Sequence, residues 1–224
     1  MKVLAKAFLG VLVAISSGFG PVATQAETTS PALVWNFDRE QPGSLPSEFS
    51  IGTLFDGRPA GDWQVIATDR AKSHPHVLAQ LMAKGAEHAY KVVLSKDVIA
   101  SDLILEVSLL PIQGRADMGG GLIWRAADDR NYYLARANPL EQNIRVYRIM
   151  NGVRHLLQSF NQTIDLRGWH TLRVMHRGCQ INIYYDDKQV FDLCDKTFHT
   201  GKIGLWTKSD AITYFDDLQL QHVK

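Results

Sequence analysis

The sequence predicts an all-β protein, a sandwich or barrel of short antiparallel strands. From Val92 onward the apolar residues alternate or run in segments of strand length, and the 3.6-residue period of an amphipathic helix is scarce. Between those segments stand "QGRADMGGG", "AADDRN", "MNGVR", "DLRGW", "DDK" and "FHTG", all of them turn chemistry. Short strands at regular spacing, each able to bury one face, are what a two-layer or closed β architecture needs.

The chain begins with Lys2 and Lys6, the apolar run "AFLGVLVAI" and small residues ending at "ATQA". That three-part order is a secretory leader, with cleavage expected after Ala26. The run is shorter than the roughly 20 apolar residues a membrane helix needs, so the mature chain is expected without a membrane span, periplasmic or secreted; a retained N-terminal anchor is the alternative. Residues 27–224 suffice for one β-sandwich domain and contain no linker-like stretch. The 24 Lys and Arg nearly balance 23 Asp and Glu, which argues against nucleic acid as a partner.

Along the mature chain, Pro31 to Gly61 reads as one strand, "LVWNFD", followed by irregular loop. A short helix is expected near "SHPHVLAQLMAK". The strands that follow are "YKVVL", "LILEVSLL", "GLIWRA", "NYYLARA", "IRVYRIM", "HTLRVMHR", "QINIYY", "KQVFDL", "KIGLWTK" and "ITYFDDLQL". His170 and His176 bound one of these and are expected to be partly exposed.

Cys179 and Cys194 bracket a hairpin. A two-residue loop at Asp186 and Asp187 sets them directly opposite, at a separation that suits a disulfide. The apolar pattern of Ile181, Ile183, Phe191 and Leu193 requires instead a three-residue loop or a bulge, which sends the cysteines to opposite faces. Both registers stay open, and export favours the bond.

The order "GDWQV", "HVLAQ", "GGGLIWR" to "NYYLARANPLEQNIRVYRIMNGVR", "GWHTLRV" to "INIYYDDKQVF", and "GKIGLWTKSDAITYFDDLQL" resembles the concanavalin A-like jelly-roll proteins. More narrowly, it resembles the exported bacterial branch known as 3-keto-disaccharide hydrolase-like, or family 16 glycoside hydrolase-like. The resemblance spans most of residues 61 to 222. It implies a two-sheet antiparallel jelly-roll sandwich of the lectin and glucanase type, with ligands on the concave face or its rim.

Several chemistries lack carriers. Retaining glucanases need two carboxylates about 5–5.5 Å apart, on one strand face, and no such glutamate pattern occurs. "SHPHV" reads as a turn around Pro75 rather than the start of a metal site, and no serine elbow or Cys–His pair is present. The triplet Gly119 to Gly121 is followed by a strand, so no helix N-terminus is available for phosphate. No metal or cofactor is implied.

A saccharide groove fits better. Alternation sends Leu122 and Trp124 to the core and Gly121 and Arg125 outward; Arg136 and Asn138 share a face, as do Trp206 and Lys208. On one concave sheet these would gather an aromatic plane, an amide and forked cations around glycine-lined backbone, with Glu141 beside Arg136. The expected partner is a saccharide or oxidised saccharide. The resemblance adds a mechanism: a ketone at sugar C3 acidifies the C2 proton, a base removes it, and the C1 substituent leaves. Arg125, Arg136 and Lys208 would stabilise the enolate, with Glu141 or Asp117 as base. The alternative is a non-catalytic module that binds envelope glycan or protein.

Overall fold

A computed structural model describes residues 31–86 and 88–223. The expected leader, residues 1–26, lies outside them. Fifteen strands form, and no helix, among the described residues. They are β1 Leu33–Trp35, β2 Phe49–Ile51, β3 Trp63–Ala67, β4 His76–Gln80 and β5 Tyr90–Ala100. Then come β6 Leu103–Gln113, β7 Gly120–Asp128, β8 Asn131–Asn138, β9 Asn143–Met150 and β10 Val153–Asn161. The chain closes with β11 His170–Arg177, β12 Gln180–Tyr185, β13 Lys188–Cys194, β14 Gly201–Lys208 and β15 Ile212–His222. The all-β, two-sheet antiparallel sandwich is therefore the fold.

One sheet runs β13-β12-β11-β6-β15-β4-β3, with β1 also on β15; the other runs β10-β9-β8-β7-β14-β5-β2. Between them lies the main core, to which the first sheet sends Leu105, Val107, Leu172, Val174 and Phe215, and the second sends Leu122, Trp124, Ile203 and Leu205. Burying such side chains yields roughly 25 cal/mol per Å² of apolar area, which drives the layering.

The seven-stranded sheet is apolar on its outer face too: Val92, Ile123, Tyr132, Leu134, Tyr147 and Trp206 form a second buried cluster there. Curvature explains how an outer face becomes buried. Arg154 on the edge strand β10 lies over the rings of Tyr147 on β9, at 5.2 Å, and Tyr90 on β5, at 5.4 Å. Strands far apart in the sheet meet only if it curls, so this is its concave side.

Four expectations are corrected. The helix near "SHPHVLAQLMAK" is instead β4, hydrogen-bonded to β3 and β15, with Val77, Leu78 and Ala79 all buried. Burial on both faces erases the alternation that marks a strand. The stretch from Pro31 to Gly61 contains a second strand, β2, paired with β5. "MNGVR" turns into β10, whose mostly exposed face has little apolar pattern. His170 and His176 are buried: His170 Nδ1 lies 2.8 Å from Asp186 and Nε2 2.6 Å from the Asp165 carbonyl, and His176 lies inside between Trp124 and Arg125.

The cysteine hairpin combines the two registers. Asp186 and Asp187 both take positive φ in a two-residue loop, and a register shift between Ile183 and Tyr184 leaves Val190 bulged. Ile181 then pairs with Leu193 and Ile183 with Phe191 on the core side. Cys179 and Cys194 are nevertheless bonded, with Cα atoms 4.8 Å apart. Opposite faces do not separate them, because Cys179 lies in the turn after Gly178, whose positive φ takes the chain out of the pleat.

Candidate functional site

At one end of the concave face the strands deliver a connected set of polar side chains, of which Arg136, Asn138, Asn143, Asp117 and Lys208 are buried. Arg136 leaves β8 and donates to Asn143 Oδ1 at 2.7 Å and Glu141 Oε2 at 2.8 Å. Arg145, two residues further along β9 and on the same face, reaches that Glu141 oxygen at 2.8 Å. Asn138 Oδ1 accepts the backbone N–H groups of Leu140 and Glu141, folding the β8–β9 turn so that Glu141 points back. Its amide nitrogen donates to Asp117 at 3.3 Å, and Lys208 on β14 pairs with Asp117 at 3.3 Å.

Asp117 is held by Asp210, whose carboxylate accepts the N–H groups of Arg115, Ala116 and Asp117 at 2.7 to 3.1 Å. Although burial works the other way, those donors keep the Asp210 carboxyl below its ordinary range. Burial pushes the Asp117 carboxyl up, against the pull of Lys208 and Arg136. For Glu141 burial again works upward, but Arg136 beside it wins and the carboxyl is lowered. Two carboxylates in one network are thus driven in opposite directions.

Gly121 sits between Trp206 and Arg136 in neighbouring strands. A Cβ there would come within 2.8 Å of Arg136 Cβ and also strike the Ala135 carbonyl, so the side-chain-free position keeps the strands close. Gly120 faces the other way, onto Phe215, and Gly119 takes φ of 106° to enter the strand. Beyond Gly121 an aromatic floor begins: Trp206 contacts Tyr90 at 5.6 Å, and the Arg136 guanidinium lies 6.0 Å from the Tyr147 ring. The buried Tyr132 hydroxyl and Trp206 indole N–H lie near one another without hydrogen-bond geometry. A cleft of about 780 Å³ opens beside Tyr90, with Leu54, Phe55, Met82 and Val92 in its wall.

Of the residues singled out by sequence, Arg136, Asn138, Glu141, Lys208, Trp206 and Gly121 share this face. Arg125 does not, which corrects its assignment to the enolate-stabilising set. Its φ of 47° and the register shift after Trp124 break the alternation of β7 and turn the side chain to the sandwich's end. There it donates to the carbonyls of Ser101, Gly178 and Phe198 and to Asp102, at 2.7 to 3.0 Å. Residues that sequence reasoning passed over include Asn143, Arg145 and Tyr147, which plain alternation along "NIRVYRIM" places on the Arg136 side, and Arg154, hidden in the unrecognised β10. Among the described residues, no group of three His, Cys, Asp or Glu could hold a metal ion. No helix among them is long and apolar enough to cross a membrane.

No family model matches the chain. A levanase of Bacillus subtilis is 27% identical over 121 residues, which cover 53% of this chain and 17% of the levanase. The carbohydrate binding module CBM66 from Bacillus subtilis superposes with a TM-score of 0.62 at 22% identity, over 77% of this chain and 94% of that one. A beta-glucanase of Bacillus licheniformis gives 0.55 at 11% identity, over 87% and 99%. At these identities the likeness establishes a shared jelly-roll fold.

Proposed function

We propose that this chain is an exported, single-domain saccharide-binding protein whose concave face holds the ligand at Arg136, Asn138, Glu141, Lys208, Trp206 and Gly121. The observation that carries the reading is the joining of one polar network, from Lys208 through Asp117 and Asn138 to Glu141 and Arg136, to an aromatic floor on the same sheet face. Sugars need both surfaces: ring C–H faces stack on aromatic planes while hydroxyls meet amides, guanidinium forks and carboxylates. Export rests on the leader pattern of residues 1–26.

The levanase relative puts levan first in a binding panel, together with neutral glucans and 3-keto-disaccharides. Calorimetric binding to one member, lost at least tenfold on Arg136→Ala in a chain that keeps its circular dichroism, is the expected result. No binding by a folded chain, either across this panel or to acidic oligosaccharides, defeats the reading.

A second reading adds chemistry, and the opposed shifts of Asp117 and Glu141 favour it, because groups driven apart can divide acid and base roles. On a 3-keto-glycoside, Glu141 would take the C2 proton, the C2–H electrons would form the enolate, and the C1–O bond would break in the following step. Arg136 and Lys208 would face the enolate oxygen, and Asp117 would protonate the departing oxygen. Water added across the resulting alkene would complete hydrolysis. Release of 3-keto-glucose, abolished by Glu141→Gln, distinguishes this reading from binding alone.

A further inference from the structure

Formal charge on the concave face does not cancel. Arg136, Arg145, Arg154 and Lys208 meet there with three acids, Asp117, Glu141 and, behind Asp117, Asp210. Glu141 is shared by Arg136 and Arg145, and Asp117 is engaged by Lys208. Arg154 has rings for neighbours instead: its guanidinium lies over Tyr90 and Tyr147, and among the described residues no carboxylate pairs with it. Arg154 also meets the Tyr90 hydroxyl, and a guanidinium with five N–H donors keeps others to offer.

The position of that charge matters. Arg154 and Arg136 both lie within 6.0 Å of the Tyr147 ring centre, at 5.2 and 6.0 Å, so two positive charges stand close to that ring. Around Tyr147 the Arg154 charge is therefore the one without a carboxylate partner among the described residues.

We propose that the saccharide taken by this face is an acidic one, carrying a carboxylate or sulfate that Arg154 engages beside Tyr147. The inference rests on the saccharide reading above and narrows it to a ligand class. A neutral sugar would offer Arg154 only hydroxyl acceptors, whereas an acidic group gives the stronger charge-assisted contact.

The test is a set of matched pairs titrated into the full chain at low salt: galacturonate, glucuronate and mannuronate trimers, each beside its carboxyl-reduced neutral counterpart, and a sulfated trisaccharide beside its desulfated form. In at least one pair the acidic member should bind tenfold or more tightly than the neutral one, as expected for one charged hydrogen bond. Arg154→Gln should narrow that gap at least tenfold, and Arg154→Lys, which restores the charge, should recover part of it. Equal binding within every pair, or a gap that survives Arg154→Gln in a folded variant, overturns the inference and leaves the saccharide reading standing. Absence of binding by every member, acidic and neutral, defeats both.

Discussion

The guanidinium of Arg154 lies 5.4 Å above the ring of Tyr90, although β10 and β5 have four other strands between them in the sheet. A single side chain thus clasps the curled sheet across its concave face. With Tyr147 as the second ring, such contacts contribute about 0.5–1 kcal/mol each where partly exposed. Arg154→Ala should lower unfolding stability by about 1–2 kcal/mol, read as an earlier urea midpoint at unchanged m-value, with Arg154→Lys losing less.

Asp117 and Lys208 form an ion pair in which both side chains are nearly inaccessible, at 4% and 7% exposure. Removing either partner strands a buried charge, which costs about 3–5 kcal/mol, whereas replacing both removes the desolvation penalty as well. The expected outcome for Asp117→Asn and Lys208→Met is two strongly destabilised single variants and a double variant well short of their sum. Additive losses in the double-mutant cycle would show the two groups to be independent.

His176 accepts the Trp124 indole N–H on Nδ1, which only an imidazole unprotonated there can do, and Arg125 faces Nε2 at 2.8 Å. Burial, reinforced by the Arg125 charge, lowers its value from 6.5 to about 3. The folded pKa lies below the unfolded one, so the unfolded chain binds the extra proton. The stability involved is therefore present above pH 6.5 and declines as pH falls from there towards 3, by up to about 1.4 kcal/mol per unit. His176→Gln, which keeps an acceptor for Trp124, should flatten that slope. An unchanged slope between pH 6.5 and 4 would count against this role.

The Cys179–Cys194 bond closes a segment with a sequence separation of 15. Loop-closure entropy for that length corresponds to about 3 kcal/mol. Reduction under native conditions, or Cys179→Ser with Cys194→Ser, should lower thermal stability by that order while leaving saccharide binding intact, since the hairpin belongs to the other sheet.

Gly121→Ala should be costlier than an exposed glycine replacement. The new methyl meets backbone on the partner strand, and overpacking of this kind costs about 1–3 kcal/mol. Differential scanning calorimetry of Gly121→Ala beside Gly168→Ala, whose Cβ would meet open space, isolates the effect.

The strands from Val92 onward were legible because one of their faces enters the core and the other bears polar residues, so period two is written into residues such as Ile181 to Tyr185. β4 escaped because Val77, Leu78 and Ala79 are buried alike on both faces. β10 escaped for the opposite reason, having few buried positions to mark it. In the candidate site, alternation placed Arg136, Asn138, Trp206 and Lys208 correctly on one face. It failed at Arg125, where a left-handed residue interrupts the pleat, since alternation is a rule for unbroken strands. Asp117 stood outside any strand, and its place depends on Asp210, more than ninety residues away.

Arg125 gathers carbonyls from three separate stretches of chain, at Ser101, Gly178 and Phe198, and adds the carboxylate of Asp102. Those stretches are the connections β5–β6, β11–β12 and β13–β14, so one cation is a shared tenant of turns belonging to both sheets. None of the three can open alone without orphaning N–H groups that the other two still hold inside. The end of the sandwich is thereby made to melt as one cooperative unit, and its amide protons should exchange with deuterium together rather than turn by turn.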